Sequence, residues 1–277
     1  MTTQTNKNKL IAIGVIVAAV ILGLSFWSIN KNKANEQLVI GISPSFAKPL
    51  QVAAEEAKAQ GVDVKLVEFS DWNTPNITLN HGDIDANFFQ HQPFLDNAKK
   101  ETDFKIKAFA KGAATHVGLY SKKYQSFDQL PQGGTVAIPN DPVNQGRALQ
   151  LLQQAGLITL KDQNDYLAKV SDIAQNPKNF KFIEVEGPQT ARAIDDVDLA
   201  FGYPHYLRMA KTADPEQALL FDDNTNTRYA ILFAVREDYQ DKGDKLAKFV
   251  QVYQNSPQVK AALDADFGRK LWFPGWK

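Results

Sequence analysis

Cysteine is absent from the 277-residue sequence. This excludes a disulfide scaffold, a thiolate metal site, a cysteine nucleophile and a lipid attached through cysteine. It leaves the compartment open, because a domain of this size needs no disulfide anywhere. Histidine is scarce, at His81, His91, His116 and His205. No GxxxxGK(S/T) loop, GxGxxG turn, GxSxG elbow or HExxH helix occurs, so no catalytic motif is present, and neither enzymatic activity nor a cofactor is expected. Charge of either sign is not in excess: Lys+Arg and Asp+Glu both total 31. Nothing therefore marks a nucleic-acid partner.

The even balance hides an asymmetry. Lys7, Lys9, Lys31 and Lys33 precede the body against a single Glu36, so the remainder is mildly acidic, by about three charges. Between these lysines, residues 10–29 read LIAIGVIVAAVILGLSFWSI, twenty residues without a charge. A helix of that length spans about 30 Å, the thickness of a bilayer's hydrocarbon layer. A cleaved signal peptide fits less well, because its apolar region is shorter and a small-x-small site follows it. Here Asn32-Lys33-Ala34 puts asparagine where a small residue belongs. The expected order is a cytoplasmic stretch at 1–9, a transmembrane anchor at 10–29, a linker at 30–37 and then the body.

The body alternates strand and helix. Strands are expected at 38–42, 62–66, 84–89, 104–110, 117–120, 135–138, 181–185, 198–203 and 229–235. Helices are expected from Pro49 to a stop at Gly61, and at 142–155, 244–254 and 258–265. This is an α/β pattern with mostly parallel sheets. The stretch DIDANFFQH at 83–91 is echoed by DVDLAFGYPH at 196–205, which suggests two similar lobes that each present a strand end. Ligands of open α/β sheets bind at that edge.

Three sets of residues carry candidate chemistry. His91, His116 and His205 lie at or near predicted strand ends, so they are either a three-imidazole metal site or separate hydrogen-bonding histidines. Asn140 to Arg147 opens a helix with Asp141 as N-cap and Pro142 at the first position. There Arg147 and Asn144 either clamp an anion at the helix N-terminus or belong to a well-capped surface helix. Trp72, Phe88, Phe89, Phe94, Tyr203 and Tyr206 form either an aromatic box for an apolar or thioether side chain or ordinary core.

Several motifs together resemble the NlpA family of methionine-binding lipoproteins. They are FSDW at 69–72, GDIDAN at 82–87, FQHQPFL at 89–95, LYSKK at 119–123, IPNDP at 138–142 with Asn144, Gly146 and Arg147, and NPKN at 176–179. The resemblance runs over about residues 38–254. It implies a type II periplasmic-binding-protein fold, with lobe 1 at 38–118 and 230–277, lobe 2 at 119–229, and hinge strands between them. It further implies capture of methionine or a related small ligand for an ABC permease and ATPase complex, with the body on the periplasmic or extracellular side. Carried over by position, Trp72, Phe89 and Phe94 would receive the ligand side chain, with His91 beside them. Arg147 would hold the carboxylate next to Asn144. Two departures stand out: His205 and Ile231 occupy regions where the family usually places asparagine. The stretch 113–116 also departs, putting His116 near the cleft. With no lipidated cysteine, residues 10–29 are expected to anchor the chain themselves. Two other functions remain open at this point, a metal-binding protein built on His91, His116 and His205, and a tethered solute sensor uncoupled from transport.

Overall fold

The computed structural model describes residues 37–222 and 227–277. The apolar stretch at 10–29 lies outside them, and among the described residues no helix is long and apolar enough to cross a membrane. The strands are β1 (Leu38–Ile42), β2 (Val64–Glu68), β3 (Ala86–His91), β4 (Ile106–Lys111), β5 (Ala113–Thr115), β6 (Gly118–Tyr120) and β7 (Thr135–Pro139). They continue with β8 (Thr159–Leu160), β9 (Ile173–Gln175), β10 (Lys181–Val185), β11 (Leu199–Gly202), β12 (Leu220–Phe221), β13 (Ile231–Arg236) and β14 (Trp272–Pro274). The α-helices are α1 (Ala47–Ala59), α2 (Thr74–His81), α3 (Gln92–Glu101), α4 (Pro142–Gln154), α5 (Thr190–Ala193), α6 (Pro204–Ala210), α7 (Lys245–Asn255) and α8 (Pro257–Phe267).

Two five-stranded sheets organise these elements, in the orders β2-β1-β3-β13-β4 and β10-β7-β11-β6-β12. Each has its central strand parallel to one neighbour and antiparallel to the other: β3 beside β1 and β13, β11 beside β7 and β6. The sheets are therefore mixed, not mostly parallel. Alternating strand and helix supplies the parallel pairs, but β6 and β13 follow the segments where the chain passes between the sheets, and they enter from the opposite direction. The two sequence echoes fall on the two central strands. Asp85 accepts from the backbone N–H of Val39 at 2.8 Å, and Asp198 accepts from that of Thr135 at the same distance. In both cases the aspartate's own N–H returns to the same residue's carbonyl. The acidic residue before each strand is thus a clasp that sets its start against the neighbouring strand.

Local chemistry explains the elements nearest the cleft. Asp71 binds the N–H groups of Asn73 and Thr74 and the Thr74 hydroxyl, fixing the turn that carries Trp72 into α2. A buried amide network joins α2 to β3: Asn76, Asn87 and Gln90 bond among themselves at 2.6–3.1 Å. Pro93 opens α3, and His91 caps it by accepting from the Phe94 N–H. Behind the first sheet lie Phe46, Phe88, Phe233, Phe249 and Phe267, all essentially sealed from water. The second sheet has its own core around Leu119, Ile138, Leu149, Leu199 and Phe201.

Replacing Asp198 by alanine removes the partner of Thr135's N–H and hydroxyl at once. A loss of about 1–3 kcal/mol is expected, read as a lower urea midpoint at unchanged slope.

Candidate functional site

The carboxyl ends of β3 and β11 face a common cleft. Ligand pockets are mostly apolar with a few placed polar groups. The lining brings together seven of the eight residues singled out from the sequence: Trp72, Phe89, His91, Phe94, Asn144, Arg147 and His205. His116 is not among them. Its ring turns to Asp222 and packs beside Phe273.

Contacts cross the cleft from one sheet's elements to the other's. His91 Nδ1 accepts from the Phe94 N–H, so the ring proton sits on Nε2 and donates to Asn144 Oδ1 at 3.2 Å. Asn144 is held in turn by Asp141, which accepts from both its backbone and its side chain. On the opposite wall Trp72 donates to the Tyr206 hydroxyl at 3.1 Å, and that hydroxyl bonds Ser43 at 2.6 Å. Trp72 meets Tyr203 edge to face, with centroids 5.5 Å apart. Gly187 lies so close to the Trp72 indole that any Cβ there would overlap the ring. A glycine is required at this approach.

Among the described residues Arg147 is the single cationic side chain on the lining. Its Nη2 donates to Asp222 at 2.6 Å and to the Thr115 carbonyl at 3.4 Å. Its guanidinium stacks 4.2 Å from the Tyr229 ring centroid. Burial pushes Asp222 upward, but bonds from His116 and Arg147 outweigh it and hold the carboxyl below its ordinary range. The bond to Asp222 raises His116 in the opposite sense. His91 and His205 are both pushed down to about 3, by burial first and then by the Arg147 charge. Both stay neutral.

The metal reading finds no support in this geometry. Among the described residues no group of three or more histidines and carboxylates could hold a metal ion. Both nitrogens of His91 are engaged, and His116 faces away from the cleft. Ser43, Thr115, Asp222 and Tyr229 escaped the sequence reading. Ser43 follows β1 on the same edge as His91, so the strand-end rule gives a signal for it. Asp222 and Tyr229 come from segments without a motif, and only the fold brings them to Arg147.

The two buried histidines generate a pH dependence. Folded, they bind protons at about pH 3; unfolded, at about 6.5. Unfolding therefore takes up protons between those values, and stability falls as pH drops below about 6.5, by about 1.4 kcal/mol per pH unit for each histidine. His116 carries the opposite sign: its contribution is fully present below about 6.5 and is lost as pH rises through its folded value. It adds no slope on the acid side. Urea melts between pH 6.5 and 5 are expected to show this decline, and His205→Phe, among Phe46, Tyr206 and Phe267, should remove about half of it. Equal slopes in the two proteins would refute a neutral buried His205.

Known proteins match both the sequence and the fold. The family model for NlpA lipoprotein matches residues 38–276. The D-methionine-binding lipoprotein MetQ of Escherichia coli K12 is 37% identical over 253 residues, covering 91% of this chain and 92% of that protein. Among solved structures, the methionine binding protein MetQ superposes with a TM-score of 0.81 at 38% identity, over 87% of this chain and 99% of that one. A nutrient binding protein from Burkholderia cenocepacia bound to methionine gives 0.76 at 38% identity, over 84% and 98%. The chain has the α/β substrate-binding-protein fold and belongs to the NlpA lipoprotein family.

Proposed function

We propose that this protein is the solute-receiving component of an ABC importer, capturing methionine or a related amino-acid-like carboxylate between two lobes. One observation carries the reading: a cleft with mostly aromatic walls holds a buried guanidinium. Trp72, Phe89 and Phe94 offer ring faces and edges to an apolar or thioether side chain, with sulfur–aromatic contacts contributing about 0.3–1.5 kcal/mol each. Arg147 supplies the charge for the carboxylate. His91 and Asn144 lie across the cleft from each other and close it by their mutual bond. His205 adds an uncharged imidazole to the wall. Relatives named for methionine binding support the ligand class.

In this reading lobe 1 comprises residues 38–118 and 230–277, and lobe 2 residues 119–229. The first sheet, α7 and α8 belong to lobe 1, and the second sheet to lobe 2. Closing the lobes joins the ligand's two ends to both at once, as in hinge closure generally. The apolar stretch at 10–29 tethers the body outside the cytoplasm in place of a lipidated cysteine, within reach of a permease and its ATPase. No catalytic group is called on in this reading.

Calorimetry of the purified protein is expected to give saturable heat with a methionine-like carboxylate. Arg147→Lys keeps a cation opposite Asp222 but loses the planar fork, and a loss of about tenfold to a hundredfold in affinity is expected. Unchanged affinity would remove Arg147 from the ligand. Deleting residues 10–29 should move the protein from sedimented membranes to the soluble fraction, and persistence in the pellet would disprove the tether.

A further inference from the structure

Donors and acceptors are unevenly divided on the cleft wall. The side-chain amide oxygens and one carbonyl are already engaged: Asn144 Oδ1 takes the His91 N–H, the Thr115 carbonyl takes Arg147, and Gln90 Oε1 takes Asn76. No carboxylate lines the cleft among the described residues, and Asp222 is bonded to Arg147 and His116. Three buried polar atoms of the lining have no hydrogen-bond partner in the protein: Arg147 Nε, the Tyr203 hydroxyl and His205 Nδ1. Their residues are 8%, 5% and 6% exposed, so bulk water does not satisfy them.

These atoms favour an oxygen-rich guest. Arg147 Nε–H only donates. Burial raises the Tyr203 phenol well above its ordinary value, so it keeps a proton to donate. Neutral His205 carries one N–H, and its Nδ1 donates in the tautomer that places the proton there. Buried donors left unmatched cost free energy, and carboxylate and carbonyl oxygens match them. Among the described residues a free ammonium meets no carboxylate on the lining, and it faces a guanidinium whose field already disfavours protons on two neighbouring imidazoles. Ile231, facing the cleft from β13, offers its side no polar group.

Resting on the reading of the chain as a receptor for methionine-like carboxylates, we propose that the preferred ligand bears an uncharged, oxygen-carrying group at its α-position instead of a free ammonium. Apolar α-keto acids and N-acyl amino acids share this chemistry.

Calorimetry on the full chain with L-methionine, D-methionine, the α-keto acid of methionine and N-acetyl-L-methionine tests the proposal and separates the two sources. At least one of the last two is expected to bind about tenfold or more tighter than either methionine enantiomer. Methionine binding as tightly as both would overturn the inference and leave the importer reading intact. No binding by any of the four would overturn the methionine-like reading itself. Tyr203→Phe gives a second readout. Its hydroxyl has no protein partner to lose, so the variant is expected to melt no lower than the parent while binding the preferred ligand about tenfold more weakly. Unchanged affinity at unchanged stability would overturn the role of the orphaned donors.

Discussion

Arg147 carries a full positive charge into a cleft walled by aromatic rings. An isolated ion there would lose several kcal/mol of hydration. Three neighbours offset that cost: the Asp222 carboxylate, the Thr115 carbonyl and the face of Tyr229. None comes from the helix that bears Arg147. Thr115 lies where the chain leaves the first sheet, Asp222 follows the last strand of the second, and Tyr229 precedes the strand that returns. Solvating one cation therefore ties α4 to both passages between the sheets. Burial first, and then the Arg147 field, keeps His91 and His205 uncharged among the apolar rings.

The equivalent sheet orders explain why both strand ends reach one cleft. Each half starts its central strand with the same aspartate clasp and finishes it at a helix opened by proline. The halves then diverge in what that finish presents. The first places His91 at the cap, using both ring nitrogens internally and across the cleft. The second places Tyr203 at the cap and His205 two residues on, and both keep an unpartnered polar atom. In the proposed function one half supplies closure and the other supplies recognition, from the same backbone plan.

Much of this was legible in residues alone. The capped helix at Asp141-Pro142, the strand echoes and the aromatic cluster follow from short-range rules, and the family motifs gather them into one cleft. Strand direction was not legible, because hydrophobic alternation is the same for a strand read either way. The short helices α2, α3, α5 and α6 were missed, since their apolar faces are brief and the starts of α2 and α3 depend on Asp71 and His91 accepting backbone N–H groups. The Arg147–Asp222 pair joins positions 75 residues apart. No local pattern encodes it. Nor does sequence reveal which buried atoms stay unpartnered, because that depends on every neighbour being in place.

Closure rests on few bonds, and that matters for how a guest can be gripped. The cross-cleft hydrogen bonds, His91 to Asn144 and the Trp72–Tyr206–Ser43 chain, exchange with water when the walls part. Each therefore contributes only about 0.5–1.5 kcal/mol net. Their sum is a few kcal/mol, within the range that a ligand touching both walls can supply or overcome. The aromatic contacts add area without direction and accept many apolar side chains. Discrimination then falls to the donors that no protein atom satisfies, because a guest that fails to match them leaves buried polar groups unpaired, whereas one missing methylene costs far less. The cleft is thus permissive toward the ligand's tail and exacting toward its head.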